Sequence, residues 1–124
     1  MAKGVNIVRT RNKGYNKYGN KKVVVDGYTF DSKKEARRYG ELKLLVRAGK
    51  IKDLELQPKF ELIPTIRTET ETLRKVSYIA DFKYIDLESG KVVVEDVKGF
   101  KTSVYLLKKR LFLQKYAECV FREV

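Results

Sequence analysis

The sequence predicts an α/β domain in the order hairpin, helix, strands, helix, strand. Three observations carry this. Ser32-Lys33-Lys34-Glu35 is a capping box ahead of apolar residues at helical spacing. Two segments, 76–85 and 91–98, are dense in β-branched and aromatic residues. A second stretch from Ser103 carries a broad apolar stripe.

In chain order, Val23-Val24-Val25 and Tyr28-Thr29-Phe30 flank Asp26-Gly27. That pair suits a type I′ turn, in which both central residues need positive φ. Ala36, Tyr39, Leu42, Leu45 and Val46 share one face of a helix over 32–48, and Gly49 supplies its C-terminal stop. Residues 51–56 read as short and mixed, broken by Gln57-Pro58. Residues 60–66 alternate as a strand, with Pro64 confining it to an edge or bulge. Residues 68–72 form a polar loop, and 76–85 read as one strand. After the turn 87–90, three consecutive valines mark 91–98 as a strand buried on both faces. Ser103 caps a helix to about Ala117, and 119–124 supply a final strand.

Charge bounds the partners. The 124 residues carry 28 Lys plus Arg against 16 Asp plus Glu, a formal +12. The first 25 residues hold Lys3, Arg9, Arg11, Lys13, Lys17, Lys21 and Lys22 and no acid. Residues 1–21 therefore read as a flexible basic arm, and 22–124 as one domain. Such an excess points to a polyanion. A solubilising tail is the plain alternative for the arm. No apolar run approaches a membrane span, and no secretory h-region or clean basic amphipathic helix is present, so no membrane partner is expected. The single Cys119 forms no internal disulfide, which suits a reducing cytoplasm. Histidine is absent, which excludes His-based triads, HNH-type nucleases and imidazole zinc sites. Oxygen ligands favour Mg²⁺ or Mn²⁺.

In so basic a chain, acids within apolar strands need a reason. Asp81 sits between Ala80 and Phe82, and Glu95-Asp96 follows the valines. Strand parity sends Asp96 and Lys98 to one face and Glu95 to the other. Carboxylates on neighbouring strands with a nearby amine suit metal-assisted phosphodiester hydrolysis. An ordinary Asp–Lys pair on a sheet is the alternative. Glu35 likewise serves as a helix cap, a ligand, or both.

Together these segments resemble the PD-(D/E)xK, or restriction-endonuclease-like, nuclease superfamily. The matching parts are Glu35 in the first helix, Tyr78-Ile79-Ala80-Asp81-Phe82, and Val94-Glu95-Asp96-Val97-Lys98-Gly99. The stretches 30–39, 54–62, 78–82 and 92–99 resemble small phage and prophage proteins. The element order is similar to that of phage and archaeal Holliday-junction resolvases. The resemblance covers residues 22–124. It implies a central mixed β-sheet flanked by helices, core order αβββαβ, with the hairpin N-terminal to it. It also implies Glu35, Asp81, Asp96 and Lys98 as catalytic residues, with Asp81, Asp96, Glu35 and Val97 around Mg²⁺ or Mn²⁺. Ala80 stands where the superfamily usually has proline. The implied activity is a structure-selective endonuclease on branched duplex DNA, in phage recombination or replication, acting as a C₂ homodimer.

For DNA contact the candidates are Arg9, Arg11, Lys13, Lys17, Lys21, Lys22, Gln57, Lys101, Lys108, Lys109 and Arg110. Gln57 has an equal claim as a turn-anchoring amide, and the lysines of the second helix as a solvated face. Tyr15 and Tyr18 in the arm could stack on bases. Two other functions stay open. One is a non-catalytic nucleic-acid-binding protein on a nuclease-like fold. The other is an RNA- or ribosome-associated protein.

Overall fold

The computed structural model describes residues 8–9 along the backbone, 22–97 and 101–124. A two-residue strand, β1 (Val8–Arg9), precedes the hairpin β2 (Val23–Val25) and β3 (Tyr28–Phe30). Asp26 and Gly27 take φ of 55° and 80°, as a type I′ turn demands. The Asp26 carboxylate accepts from Tyr39 Oη at 2.9 Å and from Lys43, pinning the hairpin onto the next helix.

Helix α1 (Lys33–Arg47) begins where Ser32 Oγ accepts from the Glu35 amide at 3.1 Å. It buries Glu35, Ala36, Tyr39 and Leu42. It stops at Ala48-Gly49, with Gly49 at φ 74°. Then follows β4 (Ile51–Leu56). Its register slips between Lys52 and Glu55, with Asp53 at φ 56°. This bulge scrambles the alternation, so the segment read from sequence as short and mixed is a full strand.

The remaining elements are β5 (Lys59–Ile63), β6 (Ile66–Arg67), β7 (Thr72–Leu73), β8 (Val76–Ile79), β9 (Phe82–Asp86), β10 (Val92–Asp96), α2 (Ser103–Lys115) and β11 (Val120–Glu123). Two predicted strands divide. Residues 60–66 break at Pro64-Thr65 into β5 and β6, and the expected loop 68–72 gives its last residue to β7. Residues 76–85 break at Ala80-Asp81, because β8 pairs with β5 while β9 pairs with β4 and β10. Gln57, at φ 54°, turns the facing strand at the same level, so both chains leave the main sheet together as a ribbon. Thr102, not Ser103, caps α2, accepting from the Tyr105 amide at 3.0 Å.

The main sheet runs β1-β4-β9-β10-β11. Strands β4, β9 and β10 form an antiparallel meander, and β11 returns parallel to β10 after α2. The arrangement is mixed α/β. Strand β1 corrects the reading of residues 1–21 as wholly an arm: Val8 and Arg9 pair in parallel with Glu55 and Leu56. They cover an edge of β4 that would otherwise present unpaired backbone groups. Arg11, Lys13, Tyr15, Lys17, Tyr18 and Lys21 lie outside the described residues.

The two helices cover opposite faces. Tyr39 and Leu42 of α1 pack with Leu54, Phe82, Tyr84 and Val93. Tyr105 and Phe112 of α2 pack with Phe60, Tyr78 and Val94. Val93 and Val94 thus enter different cores, as strand parity requires. Each fully buried large apolar side chain stabilises by about 1.5–3 kcal/mol relative to exposure. Among the described residues no helix is long and apolar enough to cross a membrane.

Candidate active site at one end of the central sheet

Register builds the site. Leu56, Phe82, Glu95 and Arg122 stand side by side across β4, β9, β10 and β11. One step further along each strand lie Gln57, Asp81, Asp96 and Glu123. The Gln57 amide donates to the Asp81 carbonyl at 2.9 Å, and the Asp81 amide to the Glu95 carbonyl at 3.0 Å. Asp96 pairs with Glu123. Four polar residues therefore line one end of the sheet.

Asp81 is held doubly against β10. Besides its amide bond, its Oδ2 accepts from the Val97 amide at 2.6 Å, so it spans the position of Asp96. Asp81 and Asp96 are almost wholly buried, at 1% and 0% exposure. Asp96 Oδ2 accepts from the Tyr78 hydroxyl. Burial first, then the Asp96 charge, pushes Tyr78 up, so it remains a protonated donor at any ordinary pH.

Glu95 faces the other way, as parity predicts. Arg38 of α1 clamps it with two bonds, Nε to Oε1 at 2.7 Å and Nη2 to Oε2 at 2.6 Å, and Tyr84 also donates to it. The Glu95 hydrogen bond raises the Arg38 pKa further. Of the two adjacent acids, one is spent on a structural pair and the other reaches the opposite face.

Glu123 extends the row. It accepts from Tyr105 Oη at 2.6 Å, Lys101 Nζ at 3.2 Å and Lys109 Nζ at 3.1 Å. These donors, the Tyr105 bond foremost, lower its pKa to about 2.

The sequence-predicted set is therefore brought together in part. Asp81, Asp96 and the Val97 backbone adjoin, and Gln57 borders them, buried and anchoring the turn through its main chain. Glu35 is buried in the first turn of α1. Among the described residues, no three Asp, Glu or Cys side chains are gathered closely enough to hold a metal. Lys98 lies outside the described residues. Lys101 and Lys109 sit beside the row, held by Glu123. Lys108 is half-buried, Arg110 and Lys22 are exposed, and the backbone of Arg9 lies beside Leu56, one step short of the row. Sequence reasoning missed Tyr78, Tyr105, Arg38 and Glu123. Their signal was weak for three of them, a tyrosine three residues before Asp81, another in a helical stripe and an acid late in the chain, and absent for Arg38.

The donor chemistry suits a hard divalent cation. Asp81 and Asp96 offer the carboxylate oxygens that such an ion takes, two donors where a metal site usually gathers more.

A family model described as "Protein of unknown function (DUF1064)" matches residues 15–123. No curated protein matches the chain, and no solved structure does.

Proposed function

From the premise that this chain belongs to the DUF1064 family, we propose that it is a metal-dependent DNA endonuclease with a restriction-endonuclease-like core. The observation that carries this reading is the pair Asp81 and Asp96, buried side by side at the end of a mixed sheet in a strongly basic protein. The order α1-β4-β9-β10-α2-β11 supports the core assignment.

Asp81 and Asp96 would hold Mg²⁺ or Mn²⁺. A divalent ion held there would supply charge to polarise a phosphoryl oxygen and acidify a water. The protein's own groups do the rest. Tyr78 and the Val97 amide orient the two carboxylates. Lys98, two residues beyond Asp96, supplies the amine that orients or deprotonates the water or offsets developing charge. Glu35, on α1, would add a third carboxylate only on moving toward the pair, since no three carboxylates are gathered among the described residues. Arg38 holds Glu95 away from the site. Branched DNA is the proposed substrate, cut by a homodimer whose two sites match the two strands of a junction.

One observation favours a second reading, a non-catalytic nucleic-acid-binding protein on the same fold. It is the absence of a three-carboxylate group among the described residues. Incubating the purified protein with four-way, forked, single-stranded and linear DNA, in Mg²⁺, Mn²⁺ or EDTA, separates the two. An endonuclease nicks at least one substrate only with metal, and Asp96→Ala keeps binding while losing cleavage. Binding without nicking in every condition would establish the second reading.

A further inference from the structure

The ribbon that leaves the main sheet carries a feature no motif announced. Lys59, Thr65, Arg74, Lys75 and Ser77 line a cleft of about 440 Å³. Three cations and two hydroxyls converge there, and no acid lines it. Glu61, which pairs with Ser77 across the ribbon, is exposed and is not among the lining residues. Among the described residues none of the three cations has an ion-pair partner, whereas Arg38, Lys43, Lys83, Lys101 and Lys109 all do. Exposed cations with hydroxyl donors beside them are the chemistry of phosphate-oxygen contact.

The cleft adjoins the candidate site. Lys59 is two residues past Gln57, and it pairs with Ile79, two residues before Asp81. Two residues of strand advance roughly 7 Å. That places the near edge of the cleft, at Lys59, about two nucleotides away at about 3.4 Å each, while Ser77 and Lys75, four and six residues before Asp81, lie two to three times as far.

We propose that this cleft grips the phosphodiester backbone of DNA over a few nucleotides, beginning about two nucleotides from the bond presented to Asp81 and Asp96. The occupant rests on the endonuclease reading and deepens it. Arg74 offers the planar fork that matches a phosphate in two bonds, and Lys59 and Lys75 add point charges on either strand of the ribbon. The contact is to backbone, so it adds affinity and register without sequence choice.

The test is binding of a short DNA duplex in EDTA, read by fluorescence anisotropy across a salt series. K59A/R74A/K75A lowers affinity about tenfold or more and reduces the slope of log K against log salt by about 2–3. K59R/K75R, which keeps the charges and leaves Arg74 in place, binds nearly as the wild type. K33A/K52A/K91A, which removes three exposed lysines elsewhere, leaves the slope unchanged. Wild-type affinity and slope in K59A/R74A/K75A would overturn the proposal. An equal loss in K33A/K52A/K91A would also overturn it, by showing a diffuse charge effect. So would a loss confined to an RNA duplex, which would assign the cleft to RNA. Failure of the endonuclease reading looks different: the wild type cleaves nothing in any metal, while the loss of binding in the cleft variant persists.

Discussion

The main-chain amide of Val97 donates to Oδ2 of Asp81 at 2.6 Å. A contact between residues sixteen apart thus locks the turn before β9 onto the end of β10. Because Asp81 also bonds the Glu95 carbonyl, the strand that carries Asp96 cannot shift without breaking both. Asp81→Ala leaves the Val97 amide without that acceptor and costs about 1–3 kcal/mol. Asp81→Asn retains an acceptor oxygen and loses less. On the endonuclease reading both variants lose cleavage. Urea denaturation beside a cleavage assay checks the split, and equal stability of Asp81→Ala and wild type would show the bond to be dispensable.

Arg38 and Glu95 are 57 residues apart and form a two-bond pair with Glu95 fully buried. Removing one partner strands a buried charge. Arg38→Ala is expected to destabilise by about 3–5 kcal/mol, and Arg38→Ala/Glu95→Gln by distinctly less. A double-mutant cycle by chemical denaturation measures the coupling, and additive losses would mean that the pair does not act as a unit.

Glu123 supplies a pH dependence. Its pKa falls from the ordinary 4.5 to about 2, with the Tyr105 hydrogen bond as the largest cause. A carboxylate whose folded pKa lies below its unfolded value stabilises fully above the unfolded value, and that contribution is lost as pH falls through the folded one. Its stabilisation is therefore intact above about pH 4.5 and disappears toward pH 2. Glu123→Gln should flatten this part of the acid limb in thermal melts between those limits. An unchanged acid limb would remove Glu123 from it.

Glu35 separates cap from ligand. Ser32 already caps the Glu35 amide through its own hydroxyl, a bond that Glu35→Gln leaves intact. On the endonuclease reading, Glu35→Gln keeps the melting temperature within a few degrees, as for a change of about 1 kcal/mol or less, and raises the Mg²⁺ concentration needed for cleavage. A melting shift with unchanged metal dependence would confine Glu35 to structure.

Lys98 tests the chemistry on the same reading. Lys98→Ala should preserve DNA binding in EDTA and slow single-turnover cleavage by about 10²-fold or more, the usual scale of a lost proton-transfer or charge-stabilising group. Full turnover in this variant would exclude the amine from the reaction.

What was legible in the sequence was local. Asp26-Gly27 specified its turn, Ser32 its helix start, and the valine run a strand buried on both faces. Parity alone separated Glu95 from Asp96, and the Arg38 clamp and the Tyr78 bond lie where it placed them. Less legible was anything set by where a chain changes partners. Residues 76–85 keep one strand-like composition throughout, yet they divide at Ala80 because their two halves pair with different strands. The bulge at Asp53 hid β4 by breaking its alternation.

By itself the sequence determined the hairpin, the two helices and the doubly buried strand β10, together with the charge and the face on which each acid of β10 lies. These follow from neighbours along the chain, through the periods of helix and strand. Tertiary structure alone decided that Gln57, Asp81, Asp96 and Glu123 share one row, and that Lys59, Arg74 and Lys75 share one cleft. Register between distant strands is chosen by which pairing buries both cores at once, and no short window of residues contains that information.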